Sequence, residues 1–321
     1  MSDLLRHVSR TDAERMDTEI GAGGGVWFSR QLEHIERQTL RAKRPVKNGL
    51  VLFPPKSGIP EGAEKYTRRM YEYSGRAKLV GSYSEDLPKA HVSGMPEDSV
   101  ILKRVGASFE YNIDELAAVE MAARTGDSLN LPMERALAAR DMIESELNAI
   151  VWSGNADAGL YGILNHPYVP RLNCASASTA ATDTVFADVA GAFQRVRSNT
   201  QGVEIPDRLI LAEKVYNLLQ VKLRTNTDTT LLDILAKALG IARTNIVSAW
   251  ELNAAGDGGG DAFVVDRKDE LVMGHILSVP YRQEPVQRVN LAYRVPCTAK
   301  TGGMMASYPQ GMLIASFPNA L

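Results

Sequence analysis

At 321 residues, 45% hydrophobic and 23% charged, the chain can bury the core of one elaborate domain or two ordinary ones, and wholesale disorder is excluded. The 36 basic and 38 acidic residues leave a net charge of −2, which disfavours tight general binding of nucleic acid by counterion release but leaves room for a local basic patch. No apolar run approaches the ~18 residues of a membrane span, and the charged start "MSDLLRHVSRTDAERMDTEI" lacks the apolar stretch of a signal peptide.

Residues 1–50 read as a polar arm. They carry the glycine run Gly21–Gly25 and a thinly apolar helical stretch, "VWFSRQLEHIERQTL". Such a segment has no core of its own and is expected to pack on something else, a neighbouring subunit included. From Lys65 to Asn112 the apolar period becomes two. In "VGASFEYN", Val105, Ala107, Phe109 and Tyr111 fall on one face of a strand. "YTRRMYEYSGRAKLV" also reads as extended, and the turn-rich "SEDLPKAHVSGMPEDS" joins the two. Residues 51–105 are therefore expected to form a long hairpin, which is marginal alone in water.

Asn112 and Glu115 have capping-box spacing, with Gly126 where the next helix should stop. Pro132 opens a longer helix, predicted over 133–152, a rod of ~30 Å. Its stripe runs through Met133, Ala136, Leu137, Ile143, Leu147, Ile150 and Val151, of which Leu137, Ile143, Leu147 and Ile150 are the expected packing residues. The rod ends in "WSGNADAGLYGILNHPYVP", where Gly154, Gly159 and Gly162 supply freedom for a sharp corner. Helices and strands then alternate. "NAAGDGGGD", with Gly256, Gly258, Gly259 and Gly260, reads as a flexible polar loop, and the last forty residues read as strands.

Little of this points to chemistry. The five histidines (His7, His34, His91, His166, His275) have no metal-ligand spacing, and there is no H-E-x-x-H or C-x-x-C. No glycine run follows a strand and opens a helix as a phosphate loop does, and there is no G-x-S-x-G elbow. No catalytic residue, cofactor or metal is expected, although a triad scattered along the chain stays open, as triads are recognised by geometry. Cys174 and Cys297 read as reduced, small hydrophobes. The strand from Lys65 to Lys78 sets five Lys or Arg against Glu72, with Tyr66, Tyr71 and Tyr73 interleaved. A single-stranded nucleic-acid surface, a solvated face and an inter-subunit surface all fit. The third is preferred. Arg68, Arg69, Tyr71, Tyr73, Arg76 and Lys78 would face a neighbour, and the acidic clusters Glu85-Asp86 and Glu97-Asp98 offer complementary charge.

The order of parts resembles the major capsid proteins of tailed bacteriophages and the encapsulin-like fold they share. "GLYGILNHP" is similar to the glycine-leucine corner after that family's spine helix, and "GASFEYNIDELAAVEMA" to its strand-to-helix run returning from the E-loop. The resemblance implies an α+β capsid fold. It assigns 1–50 to an N-arm, 51–105 to an E-loop, 106–159 to a peripheral domain with the spine helix, 160–284 to an axial domain, and 285–321 to strands returning to the peripheral domain. It implies a non-enzymatic coat protein assembling with itself into hexamers and pentamers of an icosahedral shell, in the virion and first in the host cytoplasm. The partners implied are separate scaffolding, portal and decoration proteins and weakly held double-stranded DNA, with no membrane. Lys78, Lys89 and Lys103 are available for the crosslink some members make, but nothing singles one out, and no crosslink is expected. The alternatives are an encapsulin-type compartment around protein cargo and, behind it, an enzyme of unknown type.

Overall fold

A computed structural model describes residues 43–56, 58–81, 86–94, 97–125, 131–175, 182–223 and 228–318. The expected arm features before residue 43, together with Glu85 and Gly126, lie outside the described residues. The chain begins with α1 (Asn48–Leu52), β1 (Pro55–Lys56), β2 (Lys65–Arg68), β3 (Tyr71–Ser74), β4 (His91–Gly94), β5 (Asp98–Ile101) and β6 (Lys103–Asn112). Next come α2 (Ile113–Thr125), α3 (Leu131–Ser153), β7 (Arg171–Asn173), α4 (Thr182–Asn199), β8 (Arg208–Ala212), α5 (Glu213–Val221) and α6 (Leu231–Leu239). The chain closes with β9 (Ile246–Ala249), β10 (Ala262–Asp266), β11 (Gly274–Gln283), β12 (Gln287–Val289), β13 (Ala292–Met305) and β14 (Met312–Ser316).

Two compact units are present, 1–44 with 114–131, and 45–113 with 132–321. Of the first, α2 is the part described. It follows Asn112 directly and places Asp114 and Glu115 in its first turn, where carboxylates favour the helix dipole.

The second unit is built on two sheets. In the first, the order is β1–β11–β13–β12, and β6 pairs with the free edge of β13 from Asn112↔Ala292 to Lys103↔Thr301. Val105, Ala107, Phe109 and Tyr111 are the half-buried positions of β6, as their period of two predicts. The rod α3 lies on that sheet. Ala139, Ile143 and Leu147 pack with Cys297, Ala299, Leu277 and Tyr281. Burial of Ile143 and Leu147 contributes about 1.5–3 kcal/mol each. The expected stripe needs one correction. Leu137 is 36% exposed and Met133 56%. At 3.6 residues per turn Leu137 points about 120° away from Ile143, so small Ala139, one turn before Ile143, holds the contact instead.

The second sheet has the order β7–β14–β10–β8–β9. β8 "RLILA", β10 "AFVVD" and β14 "MLIAS" are buried at every position, as strands covered on both faces must be. Val185, Val189, Ala192, Phe193 and Val196 of α4, Val215 and Leu219 of α5, and Leu232 and Leu235 of α6 are in this core. Here the expected segment boundaries move. β11 falls within 160–284 yet belongs to the first sheet, because it is the antiparallel partner of β13. β14 falls within 285–321 yet joins the second sheet, where β7 and β10 flank its fully buried run.

The long hairpin is also different in detail. It consists of two four-residue ladders, β2–β5 and β3–β4. Arg68 pairs with Asp98, but Tyr71 pairs with Gly94, so the register shifts by one residue between them. A one-residue shift exchanges the two faces of a ribbon.

Candidate inter-subunit interface

The hairpin has a buried root and a bare tip. At the root, Val100 and Leu102 join Ile276 and Met305, with Tyr66 packed against them. Beyond it, all eight residues of β3 and β4 are exposed. Leu79 is 100% exposed and Tyr73 84%, and Tyr71, Leu87 and Val92 are each exposed by more than half. Large apolar side chains gathered on one excursion are unusual for a surface that stays in water.

The basic residues do not act alike. Arg76 and Lys78 are exposed on the tip, as is Asp86. Arg69 donates from Nε to Glu97 Oε1 at 2.8 Å, within its own chain. Arg68 corrects the expectation more strongly. β2 alternates outward and inward, and Arg68 falls on the inward side with Tyr66. Its two terminal nitrogens are buried and have no hydrogen-bond partner among the described residues. Arg68 therefore belongs to the root of the hairpin, while Tyr71, Tyr73, Arg76, Lys78 and Asp86 make up the outward surface.

The corner after α3 is closed by hydrogen bonds rather than left free. A helix ends with carbonyls that have no partner in the helix. Here Ile163 and Leu164 return and donate their N–H groups to Val151 O and Trp152 O, both at 2.8 Å. Asn155 and Leu160 exchange two bonds of 2.9 Å across the turn between them. Gly154 has φ +69°, and a Cβ there would lie 2.6 Å from Gly162 N. A Cβ on Gly162 would lie 2.7 Å from Trp152 O. Gly159 takes φ +68° with open space around it. The backbones at Gly154 and Gly162 thus meet in a space no side chain can share.

The loop of Gly256, Gly258, Gly259 and Gly260 is anchored too, which corrects the expectation of a flexible segment. Gly256 N donates to Gly260 O at 2.8 Å, and Asp261, 5% exposed, accepts from Ala254 N at 3.0 Å. A Cβ on Gly260 would collide with Phe317 O. Gly258 and Gly259 turn the tip at φ +74° and +81°.

Sequence reasoning missed a clamp that ties residues 46–53 to the body. Lys47 Nζ lies 2.7 Å from Asp141 Oδ1 and 3.2 Å from Glu144 Oε2 on α3. Asn148 Oδ1 accepts from Gly49 N at 2.8 Å, and Glu251 accepts from Asn48 Nδ2 at 2.9 Å and Asn148 Nδ2 at 3.0 Å. Trp250 Nε1 donates to Val46 O at 2.9 Å. Phe53 and Trp152 meet edge-to-face at 6.1 Å, and the Arg208 guanidinium lies over the Phe53 ring at 4.6 Å. Arg208 in turn makes a two-pronged pair with buried Asp266 across β8 and β10. Burial pushes the Asp266 carboxyl upward while Arg208 opposes it. So the end of the expected 1–50 arm, from residue 46, docks on its own chain. These partners are ~100–200 residues apart in sequence, and no local pattern marks them.

Elsewhere, His166 is buried between the rings of Tyr161 and Tyr168, at 5.7 and 5.8 Å, and burial lowers its imidazole. Both cysteines are buried and free, and burial pushes the Cys174 thiol up to about 12. Among the described residues no group of three or more His, Cys, Asp or Glu converges as a metal site.

The family described as "Major capsid protein" matches residues 75–315. Among solved structures, the chain is similar to the capsid of Myoviridae phage XM1, with a TM-score of 0.75 and 16% identity over 90% of this chain and 97% of that one. It is similar to a structure from Mycobacterium phage Adephagia, with a TM-score of 0.63 and 12% identity over 90% and 95%. A virus-like particle from Pyrococcus furiosus gives a TM-score of 0.53 and 12% identity over 83% and 91%. At these identities the structural likeness is one of fold. No curated protein matches the sequence.

Proposed function

The chain belongs to the major capsid protein family and is a phage major capsid protein; from that premise we propose that copies of it form hexamers and pentamers of an icosahedral shell around a double-stranded DNA genome. The observation that carries this reading is the bare hairpin tip, with Leu79 wholly exposed and Tyr73 nearly so. A closed shell needs specific, repeated contacts between identical chains. An apolar excursion on a folded root supplies one such contact when it lies across a neighbour. In this reading 65–101 is the E-loop, α3 the spine helix, the first sheet the peripheral domain and the second sheet the axial domain. The loop of Gly256–Gly260 lies toward the capsomer axis. Scaffolding, portal and decoration proteins are separate partners, and the near-neutral charge suits DNA that is held weakly. Assembly takes place in the host cytoplasm.

Electron microscopy of the purified protein, together with analysis of what the particles enclose, tests the proposal. Rings or closed shells containing nuclease-protected DNA are expected in infected cells. A compact 35 kDa species under all conditions, with and without phage partners, would defeat it. Shells filled with protein in place of DNA would assign the chain to an encapsulin-type compartment.

A further inference from the structure

His275 on β11 is 0% exposed and stands opposite Pro55 of β1. Its Nε2 lies 3.3 Å from Thr301 Oγ1. That hydroxyl donates its own proton to Ile276 O at 3.0 Å and accepts from Gly303 N at 3.1 Å. It has only a lone pair left for His275, so the ring proton sits on Nε2. Nδ1 is then an acceptor, buried, with no partner among the described residues. His275 lines a cavity of about 310 Å³ together with Leu50 and Pro55 of the 48–56 segment and Leu147, Leu277 and Tyr281 of the body.

The charged groups around this cavity are already engaged with one another. From α3, Arg140 pairs with Glu144 at 2.7 Å, and Lys47 bridges Asp141 and Glu144. Burial raises the Glu144 carboxyl, but hydrogen bonds from Arg140 and Lys47 outweigh it and hold it below its usual range. From β1, Lys56 pairs with Glu270 at 3.4 Å. No carboxylate is hydrogen-bonded to the imidazole among the described residues. A proton added at Nδ1 would therefore be a buried charge without an acceptor, which a protein interior does not tolerate. Water must reach it, and the two sides of the ring differ in what they can yield. β13 is 14 residues long and paired on both edges. β1 is two residues long at a sheet edge, and α1 is five residues long with no side-chain cap at its start.

We propose that His275 is a proton-operated latch: protonation of its ring releases residues 48–56, the edge strand β1 included, from the body while the rest of the first sheet and the whole second sheet stay folded. The released segment is the covalent root of the hairpin from residue 65. Acid would then loosen the hairpin, the described part that reaches outward, without unfolding the subunit. This goes beyond shell formation and does not depend on it.

Burial pulls the imidazole down to about 4 when the segment is docked; its ordinary value of about 6.5 returns once water is admitted. The docked state is thus fully favoured above pH ~6.5 and loses ground about tenfold per pH unit as pH falls toward 4. Hydrogen exchange of the full-length protein, corrected for the intrinsic pH dependence, reads this directly. Between pH 6.5 and 4 the amides of Gly49 and Phe53 should lose protection by about tenfold per unit, while those of β8 and β10 keep theirs. His275→Gln keeps a donor for Thr301 and cannot titrate, so it should hold protection nearly constant over the same range. His275→Met is the second non-titrating variant, expected to behave alike. Unchanged protection in the wild type, or loss at Gly49 and in the β8–β10 core together, overturns the proposal whether or not the variants fold. A variant that follows the wild-type profile also overturns it and assigns the effect to the Lys47 carboxylate clamp.

Discussion

Two glycines of similar appearance in the sequence differ in what they tolerate, and the surroundings of their missing Cβ atoms set the difference. Gly162 faces Trp152 O and Ile150 O, backbone atoms that cannot swing away. Gly162→Ala should destabilise by about 1–3 kcal/mol or more, with a clear fall in the thermal midpoint. Gly258 has φ +74° but open space around it. Gly258→Ala meets only the left-handed penalty, about 1–2 kcal/mol, and should leave a soluble, folded subunit. Gly260→Ala, directed at Phe317 O, should resemble Gly162→Ala. Circular dichroism melts of the three variants check the ranking, and equal midpoints would mean that the corner and the loop yield more than their hydrogen bonds suggest. A related contrast holds for charge. Asp266→Asn leaves Arg208 buried without its counter-ion, and breaking such a pair costs about 3–5 kcal/mol. The exposed pair Arg69–Glu97 is worth about 0–1 kcal/mol and weakens with salt.

At the scale of elements, periodicity was the legible signal and long-range polar contact the illegible one. The alternation of β6 and the rod 131–153 could be read from spacing, because one face of each is apolar at its natural period. The position of the stripe on α3 could not be fixed as well. Met133 and Leu137 are apolar in sequence, yet the sheet is met by Ala139, Ile143 and Leu147. The runs of β8, β10 and β14, apolar but for Arg208, Asp266 and Ser316, mark buried strands but not their order, since β14 pairs with β10 and β7 from distant parts of the chain. The clamp of Lys47, Asn48, Asn148 and Glu251 had no signal at all, being four unremarkable polar residues brought together by the fold. Leu147→Asp tests the packing of the rod. It places a carboxylate among Cys297, Ala299 and Leu277, at a cost of several kcal/mol, and insoluble protein is expected. Soluble Leu147→Asp that still assembles would show that this face of α3 can be wetted.

On the scale of the whole molecule, the order of the parts carried more information about function than any residue did, because a shell subunit is defined by what it extends and what it keeps folded. The hairpin divides between those two roles at a definable place. Val100 and Leu102 are part of a core, whereas every described residue from Tyr71 to Gly94 is exposed. The tip can therefore be removed without touching the body. Ser74 and His91 face one another in the β3–β4 ladder. A two-residue Asn-Gly turn is the natural closure between facing strand residues, so replacing residues 75–90 by Asn-Gly leaves a short hairpin with its register intact. This removes Leu79, Leu87, Arg76, Lys78 and Asp86 together while Tyr71 and Tyr73 remain. Every described side chain that is removed is exposed, so the thermal midpoint of the isolated subunit should stay within a few degrees of the wild type. Assembly should suffer instead, since each subunit of the shell loses the same contact. Particle yield by electron microscopy, measured beside the melt, separates the possibilities. A large fall in yield at constant midpoint supports the tip as an inter-subunit contact. Wild-type yield at constant midpoint would make the tip a solvated ornament and move the interface elsewhere on the subunit. A collapsed midpoint would mean that the tip stabilises its own chain, contrary to its exposure.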